Sequence, residues 1–250
     1  AADDFARSIA VERRTTVGVT RLSLTQLAAR TAVTALAAQG KTPSTGLGAE
    51  AVAARAVFAA IRDASLRYFA PVAGSPGFPR ALARTLQELR LAGVEADALH
   101  TSVPARADLA ALLDRFDAAF AEVVAADRAE LLHTASRLLR SRPLHGAVLL
   151  LDTAVHDAAE AALIASLAAG AAQVLATVPR GDLKAIAHLG SFGAIREKAD
   201  ESGDGDLASL RRYLFETELE PPQRTSDGSL ELFSAPGEGR ECVEIARRIL

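Results

Sequence analysis

Residues 146–178, GAVLLLDTAVHDAAEAALIASLAAGAAQVLATV, leave few folds open. Four consecutive aliphatic side chains, Val148 to Leu151, run up to Asp152. A short polar turn follows, then an alanine-rich stretch of helical length, then a second β-prone run ending before Pro179. An uninterrupted apolar strand suits a parallel sheet covered on both faces, and a helix of this length is the usual crossover between two parallel strands. The pattern therefore predicts a strand over 146–152, a helix over 158–170 and a strand over 172–179. Asp152 falls at the carboxyl end of the first strand, where many nucleotide-hydrolysing enzymes hold magnesium.

Upstream, TTVGVT (15–20) is β-branched and short enough for a buried strand. SLTQLAARTAVTALAAQ (23–39) follows as a helix, with Ser23 at the N-cap, Gln26 completing a capping box and Gly40 as the stop. Residues 1–10 read as a helix with Asp3 and Asp4 in its first turn. Residues 49–142 are a succession of helical patterns punctuated by Pro71, GSPGFP, Gly93 and Pro104, with Pro79 at a first helical position. No strand is needed there, so the span reads as an all-helical insertion. The α/β pattern returns over 143–228, where EKADESGDGD (197–206) predicts an exposed loop and LASLRRYLFE a helix. Residues 229–250 read as a strand, a glycine-rich turn and a helix. The expected class is α/β with a parallel sheet: residues 1–48 and 143–228 form one framework around the insertion at 49–142, and 229–250 open another α/β unit.

Composition excludes several alternatives. Half the residues are apolar, with alanine the commonest, yet no apolar run approaches the ~20 residues of a bilayer-spanning helix. No membrane span is expected, and AADDFARSIA has no apolar signal core, so the cytoplasm is the expected location. The single cysteine, Cys242, excludes an internal disulfide or a multi-cysteine metal cluster in this chain and reads as helix packing. The 28 basic residues comprise 25 Arg and 3 Lys. Guanidinium forks suit phosphate and carboxylate, although a general drift toward Arg and Ala produces the same count, and a net charge of −3 is no global signature of nucleic-acid binding. With no methionine, a helix already under way at residue 1 and an apolar helix at residue 250, both ends read as cut from something longer.

The candidate motifs differ in weight. GKT at 40–42 lacks the second glycine of a phosphate-binding loop, since Ala35 stands in its place, and it follows a helix instead of preceding one. Asp152 is followed by Thr153, so no neighbouring carboxylate is present to polarise an attacking water; a strand end that caps the next segment is its other reading. Asp152, His156, Asp157 and Glu160 include an i, i+4 His/Glu pair of metal-ligand type, without an assured third ligand. GVTRLSLTQLAAR (18–30) is more specific. Thr20, Arg21 and Ser23 place hydroxyls and a guanidinium beside the open N–H groups of a helix start, an arrangement that grips phosphate without reading bases; an ordinary N-cap with an exposed arginine is the alternative. Arg80, Arg84 and Glu88 predict intrahelical ion pairs, and Gly237 with Gly239 predicts a tight turn.

Taken in order, VGVTRLSLTQLAAR, SPGFPRALARTLQELRLAGV, AVLLLDTAVHDAAEAALIASLA and FSAPGEGRECVEIARRIL resemble the helicase-like N-terminal region of AddB-type proteins. These are PD-(D/E)XK nuclease family subunits of helicase-nucleases that process double-strand breaks. The resemblance to this superfamily 1 helicase-like fold implies a parallel sheet of the P-loop NTPase (RecA-like) type, with 1–48 and 143–228 as the first lobe and its connecting segment and 229–250 as the start of a second lobe. On the same resemblance the first segment contacts single-stranded DNA and Asp152 is the remnant of a magnesium-binding acid. It also implies a helicase partner subunit of the AddA type. No phosphate-binding loop lies in these residues, and no nuclease carboxylate can be assigned. ATP with magnesium, and an iron–sulfur cluster, are therefore expected only in a parent protein. The expected function is an inactivated helicase-like scaffold in DNA repair. The alternatives are an active ATP-dependent helicase whose phosphate loop precedes residue 1, and a protein-interaction module that binds no DNA.

Overall fold

A computed structural model describes residues 2–13, 18–43, 46–123, 125–179, 181–190, 193, 203–214 and 219–249. The chain divides into two compact units, 1–194 and 195–250. The elements of the first unit are α1 (Ala2–Arg13), α2 (Leu24–Ala38), β1 (Thr42–Pro43), α3 (Gly46–Arg62), α4 (Phe78–Leu91), α5 (Ala96–Leu99), α6 (Pro104–Glu122), β2 (Ala125–Ala126), α7 (Arg128–Ser141), β3 (Ala147–Leu151), α8 (Ala158–Gly170), β4 (Gln173–Thr177) and α9 (Leu183–Gly190). Those of the second are α10 (Asp206–Tyr213) and α11 (Glu238–Ile249).

The unit predicted from 146–178 is present. β3 and β4 pair in parallel, from Ala147 opposite Gln173 to Leu151 opposite Thr177, with α8 as the crossover. Alternation along the strands sends Val148, Leu150 and Ala176 into a core shared with Leu163, Ile164 and Leu167 of α8. The other face carries Leu149 and Leu175, 45% and 58% exposed. Four apolar residues in a row suggested a strand covered on both faces; here one face is covered. The structure is mixed α/β, and among the described residues its sheets have two strands each, β1 with β2 and β3 with β4. A large parallel sheet is not seen. Residues 18–20 and 229–237 form no ladder, so the strand expected at the start of 229–250 is not found; of the strand expected at 15–20, residues 15–17 lie outside the described ones. β2 also adds two strand residues to a span expected to have none.

Two apolar cores organise the first unit. One gathers α3, α4, α5 and α6 around Leu82, Leu86, Leu112, Leu113 and Phe116. Its loop from α3 to α4 is held by the buried carboxylate of Asp108 on α6, which accepts the backbone N–H groups of Arg67 (3.0 Å) and Phe69 (2.9 Å). The other core gathers α2, α7, α8, β3, β4 and α9. Arg90, at the end of α4, bridges the two. Its Nε donates to Asp127, the buried N-cap of α7, at 2.7 Å, and its Nη1 donates to Asp117 of α6. Arg80 and Arg84 lie exposed on α4 and form no ion pair with Glu88 among the described residues, contrary to the spacing argument. Pro79 does sit in the first turn of α4.

Contacts at the ends of α2, α7 and α8 fix their directions. Arg128, the first residue of α7, donates to Asp157 (3.2 Å), the N-cap of α8, and to Glu160 (2.5 Å) in its first turn. At the far end Arg140 reaches Ser166 (3.1 Å), and Gly170 lies so close to Pro143 that an added Cβ would meet the proline Cβ at 2.6 Å. Helices α7 and α8 are therefore parallel. α2 runs the opposite way along α7: its exit, Lys41, pairs with Glu130, and Thr42–Pro43 pair with Ala125–Ala126 just before α7 begins. Gly40, at φ +74°, makes that exit, with Lys41 N–H donating to Leu36 C=O at 2.8 Å. A strand feeding directly into α2 would thus run antiparallel to β3 and β4, not parallel as the expected strand–helix unit requires.

In the second unit Asp206 and Asp227 hold each other's backbone. Asp227 N–H donates to Asp206 (2.9 Å) and Asp206 N–H to Asp227 (3.2 Å). Hydrogen bonds from the Ser229 hydroxyl and N–H, helped by Asp206, lower the Asp227 carboxyl to about 2. On α11 the Arg248 guanidinium lies 4.2 Å from the Phe233 ring centre and binds Glu244 and Glu231, contacts that raise its pKa. Cys242 stands exposed on α11 instead of packed, as do Val243, Ile245 and Ile249. Gly237, at φ +92°, makes the turn into α11.

Candidate functional site

Asp152 occupies the predicted place at the carboxyl end of β3. Its backbone is left-handed, φ +48°, a conformation that Asp tolerates better than most residues. Thr177, at the end of β4, explains this corner. Its hydroxyl accepts from Asp152 N–H (3.1 Å) and donates to Asp152 Oδ1 (2.9 Å), while its carbonyl accepts the same N–H at 3.1 Å. The carboxylate thus ties two strand ends together.

The other acids near this rim are also engaged. Asp157 accepts Glu160 N–H (2.8 Å) as the N-cap of α8, and Glu160 accepts His156 N–H (2.7 Å), while Arg128 binds both. The Lys184 ammonium donates to His156 C=O. Among the described residues no three His, Cys, Asp or Glu side chains are placed to hold a metal ion. Asp152, His156, Asp157 and Glu160 act as caps and ties. These residues do not fit a magnesium–nucleotide centre. GKT is equally occupied: Gly40 closes α2, and the Lys41 ammonium binds Glu130.

Thr20, Arg21 and Ser23 are all exposed at the entry to α2. The capping box is formed in full, with Gln26 N–H donating to Ser23 Oγ (3.2 Å) and Ser23 N–H to Gln26 Oε1 (2.9 Å). The N–H groups of Leu24 and Thr25 take no protein acceptor among the described residues and point out of the helix start. Because α2 runs antiparallel to α7 and α8, this entry lies at the amino end of β3. Asp152 lies at the carboxyl end, a helix length of about 20 Å away. The two sequence candidates are therefore not one site.

Charge divides along the same axis. Asp127, Glu130, Asp152, Asp157, Glu160 and Asp182 all lie toward the carboxyl end of β3 and β4. No acid occurs over 13–49, 131–151 or 161–181, the segments that contain α2, the body of α7 and the body of α8. The amino end instead gathers Arg21, Arg137, Arg140 and Arg142. The sequence reading passed over the last three, for which the acid-free run 131–151 is the available signal.

No family model matches the chain, and no curated protein matches it.

Proposed function

We propose that this chain is a helicase-like domain of a DNA-break-processing helicase-nuclease that holds single-stranded DNA without hydrolysing nucleotide. Its parent would be a subunit of the AddB type, working beside an AddA-type helicase subunit in the cytoplasm. On this reading β3–α8–β4 belongs to a P-loop NTPase-like framework, and Thr20, Arg21 and Ser23 contact the DNA backbone. The observation that carries the proposal is the gathering of Arg21, Arg137, Arg140 and Arg142 at the amino end of the α2, α7 and α8 layer, whose segments 13–49, 131–151 and 161–181 contain no acid. Such a surface attracts a polyanion in a chain whose net charge is −3. The engagement of Asp152 by Thr177 supports the absence of hydrolysis.

Fluorescence anisotropy with labelled dT20 at low and moderate salt tests the reading. Binding that weakens steeply with salt is expected, and it should weaken further in Arg21→Ala/Ser23→Ala. No binding at low salt would leave the protein-interaction alternative. Calorimetric titration with ATP and magnesium should give no heat of binding; micromolar, magnesium-dependent binding would overturn the non-hydrolysing scaffold.

A further inference from the structure

The α7 helix carries a row of cations that no carboxylate among the described residues pairs with. α7 is buried on most sides, with Leu131, Leu132, Thr134, Ala135, Ser136 and Leu139 inside. What remains outside is a narrow ridge at helical spacing, His133, Arg137, Arg140 and Ser141, continued by the exposed Arg142. Elsewhere in the first unit Arg55, Arg62, Arg90, Arg115 and Arg128 each bind a carboxylate. Arg137 and Arg142 have none among the described residues, and Arg140 donates only to the neutral Ser166 hydroxyl. A solvated helix face ordinarily mixes both signs and gains from i, i+4 pairs; this one has no acid from 131 to 151. Antiparallel packing of α2 brings its entry, with Arg21, to the same end. Arg137 and Arg140 stand about 4.5 Å apart along the axis, close enough to serve adjacent phosphates or share one.

We infer that the ridge Arg137, Arg140 and Arg142 is a phosphate track that continues the α2 entry site and takes the backbone of single-stranded nucleic acid across the amino end of the sheet. The nucleic-acid part of this inference rests on the proposed function; the phosphate part does not. Contacts are chiefly to backbone charge, since 131–151 contains no Phe, Tyr or Trp on which bases could stack.

The test compares Arg137→Gln/Arg142→Gln, which leaves the Arg140–Ser166 bond in place, with a control of equal charge change on the exposed face of α4, Arg80→Gln/Arg84→Gln. Each is titrated with labelled dT20 and with inorganic polyphosphate, a phosphate polymer without bases, after a thermal melt has shown unchanged folding. Losing two phosphate contacts should reduce the single-strand salt slope by about 1.4 and the affinity at 0.1 M salt by roughly 20-fold. The control should keep most of both, and Arg137→Lys/Arg142→Lys should retain most of the binding. Equal losses in the ridge and control variants would overturn the track while leaving DNA binding intact. Ridge-dependent binding of polyphosphate without binding of dT20 would sink the DNA reading and keep the track. Binding of neither would end both.

Discussion

Replacing Arg90 by methionine separates a structural ion cluster from an ornamental one. Methionine keeps an unbranched apolar stem against Phe120, whose ring lies 5.7 Å from the guanidinium carbon, and removes only the charge and its hydrogen bonds. The two carboxylates left behind differ. Asp117 is 45% exposed and regains water, so its share is at most about 1 kcal/mol. The Asp127 side chain is 1% exposed and keeps one donor, the Glu130 N–H at 2.9 Å. An uncompensated buried charge of that kind costs about 3–5 kcal/mol. With a urea slope of about 2–3 kcal/mol per molar for a unit of this size, the midpoint should fall by about 1–2 M. The double variant Arg90→Met/Asp127→Asn should recover about 2 kcal/mol, because asparagine still caps α7 and carries no charge. The assay is urea unfolding followed by circular dichroism. A shift of Arg90→Met below about 0.3 M, or a double variant whose loss is the sum of the two singles, would refute a role for Arg90 in joining the two cores.

Five further outcomes follow from the same geometry. Asp108→Ala strands the N–H groups of Arg67 and Phe69 and should cost about 2–4 kcal/mol in the same assay, with the 65–69 loop exchanging its amide hydrogens faster. Ser23→Ala removes half of the capping box and should cost about 1 kcal/mol, while Gly40→Ala should cost about 1 kcal/mol through its left-handed backbone alone, since open space surrounds its Cβ position. Thr177→Val should destabilise the β3–β4 corner through loss of its bonds to Asp152, seen as faster amide exchange at residue 152. Asp227 is depressed from 3.8 to about 2, so its contribution is present in full above pH 3.8 and is lost as pH falls toward 2. Carboxyl resonances followed by NMR should show Asp227 titrating near 2, and nearer 3.8 in Ser229→Ala.

The elements that could be read from the residues alone are those whose causes lie within a few positions. The capping box of Ser23 and Gln26, the stop at Gly40, the proline at the start of α4 and the apolar run from Val148 to Leu151 each act over one turn or one strand. The β3–α8–β4 crossover follows from them because a strand, a helix of this length and a second strand have one favoured handed connection. Direction and partnership were decided only in three dimensions. The face of α2 that packs inward is Ala28, Ala32 and Leu36, mostly methyl groups that would fit α7 in either orientation. The choice falls to contacts distant in sequence, Lys41 with Glu130 and Thr42–Pro43 with Ala125–Ala126. That choice carries Thr20, Arg21 and Ser23 away from Asp152 and toward the arginines of α7. Likewise a strand needs a partner to bond with, and the apolar side chains Leu230, Leu232 and Phe233 do not supply one. Asp152 was found by its position in the sequence, but its engagement depends on Thr177, 25 residues on, which pairing places beside it. Local chemistry sets which segments become helix or strand, because its energies arise between near neighbours. Charge comes together at one end of the layer only when packing aligns segments whose lack of acids means little singly.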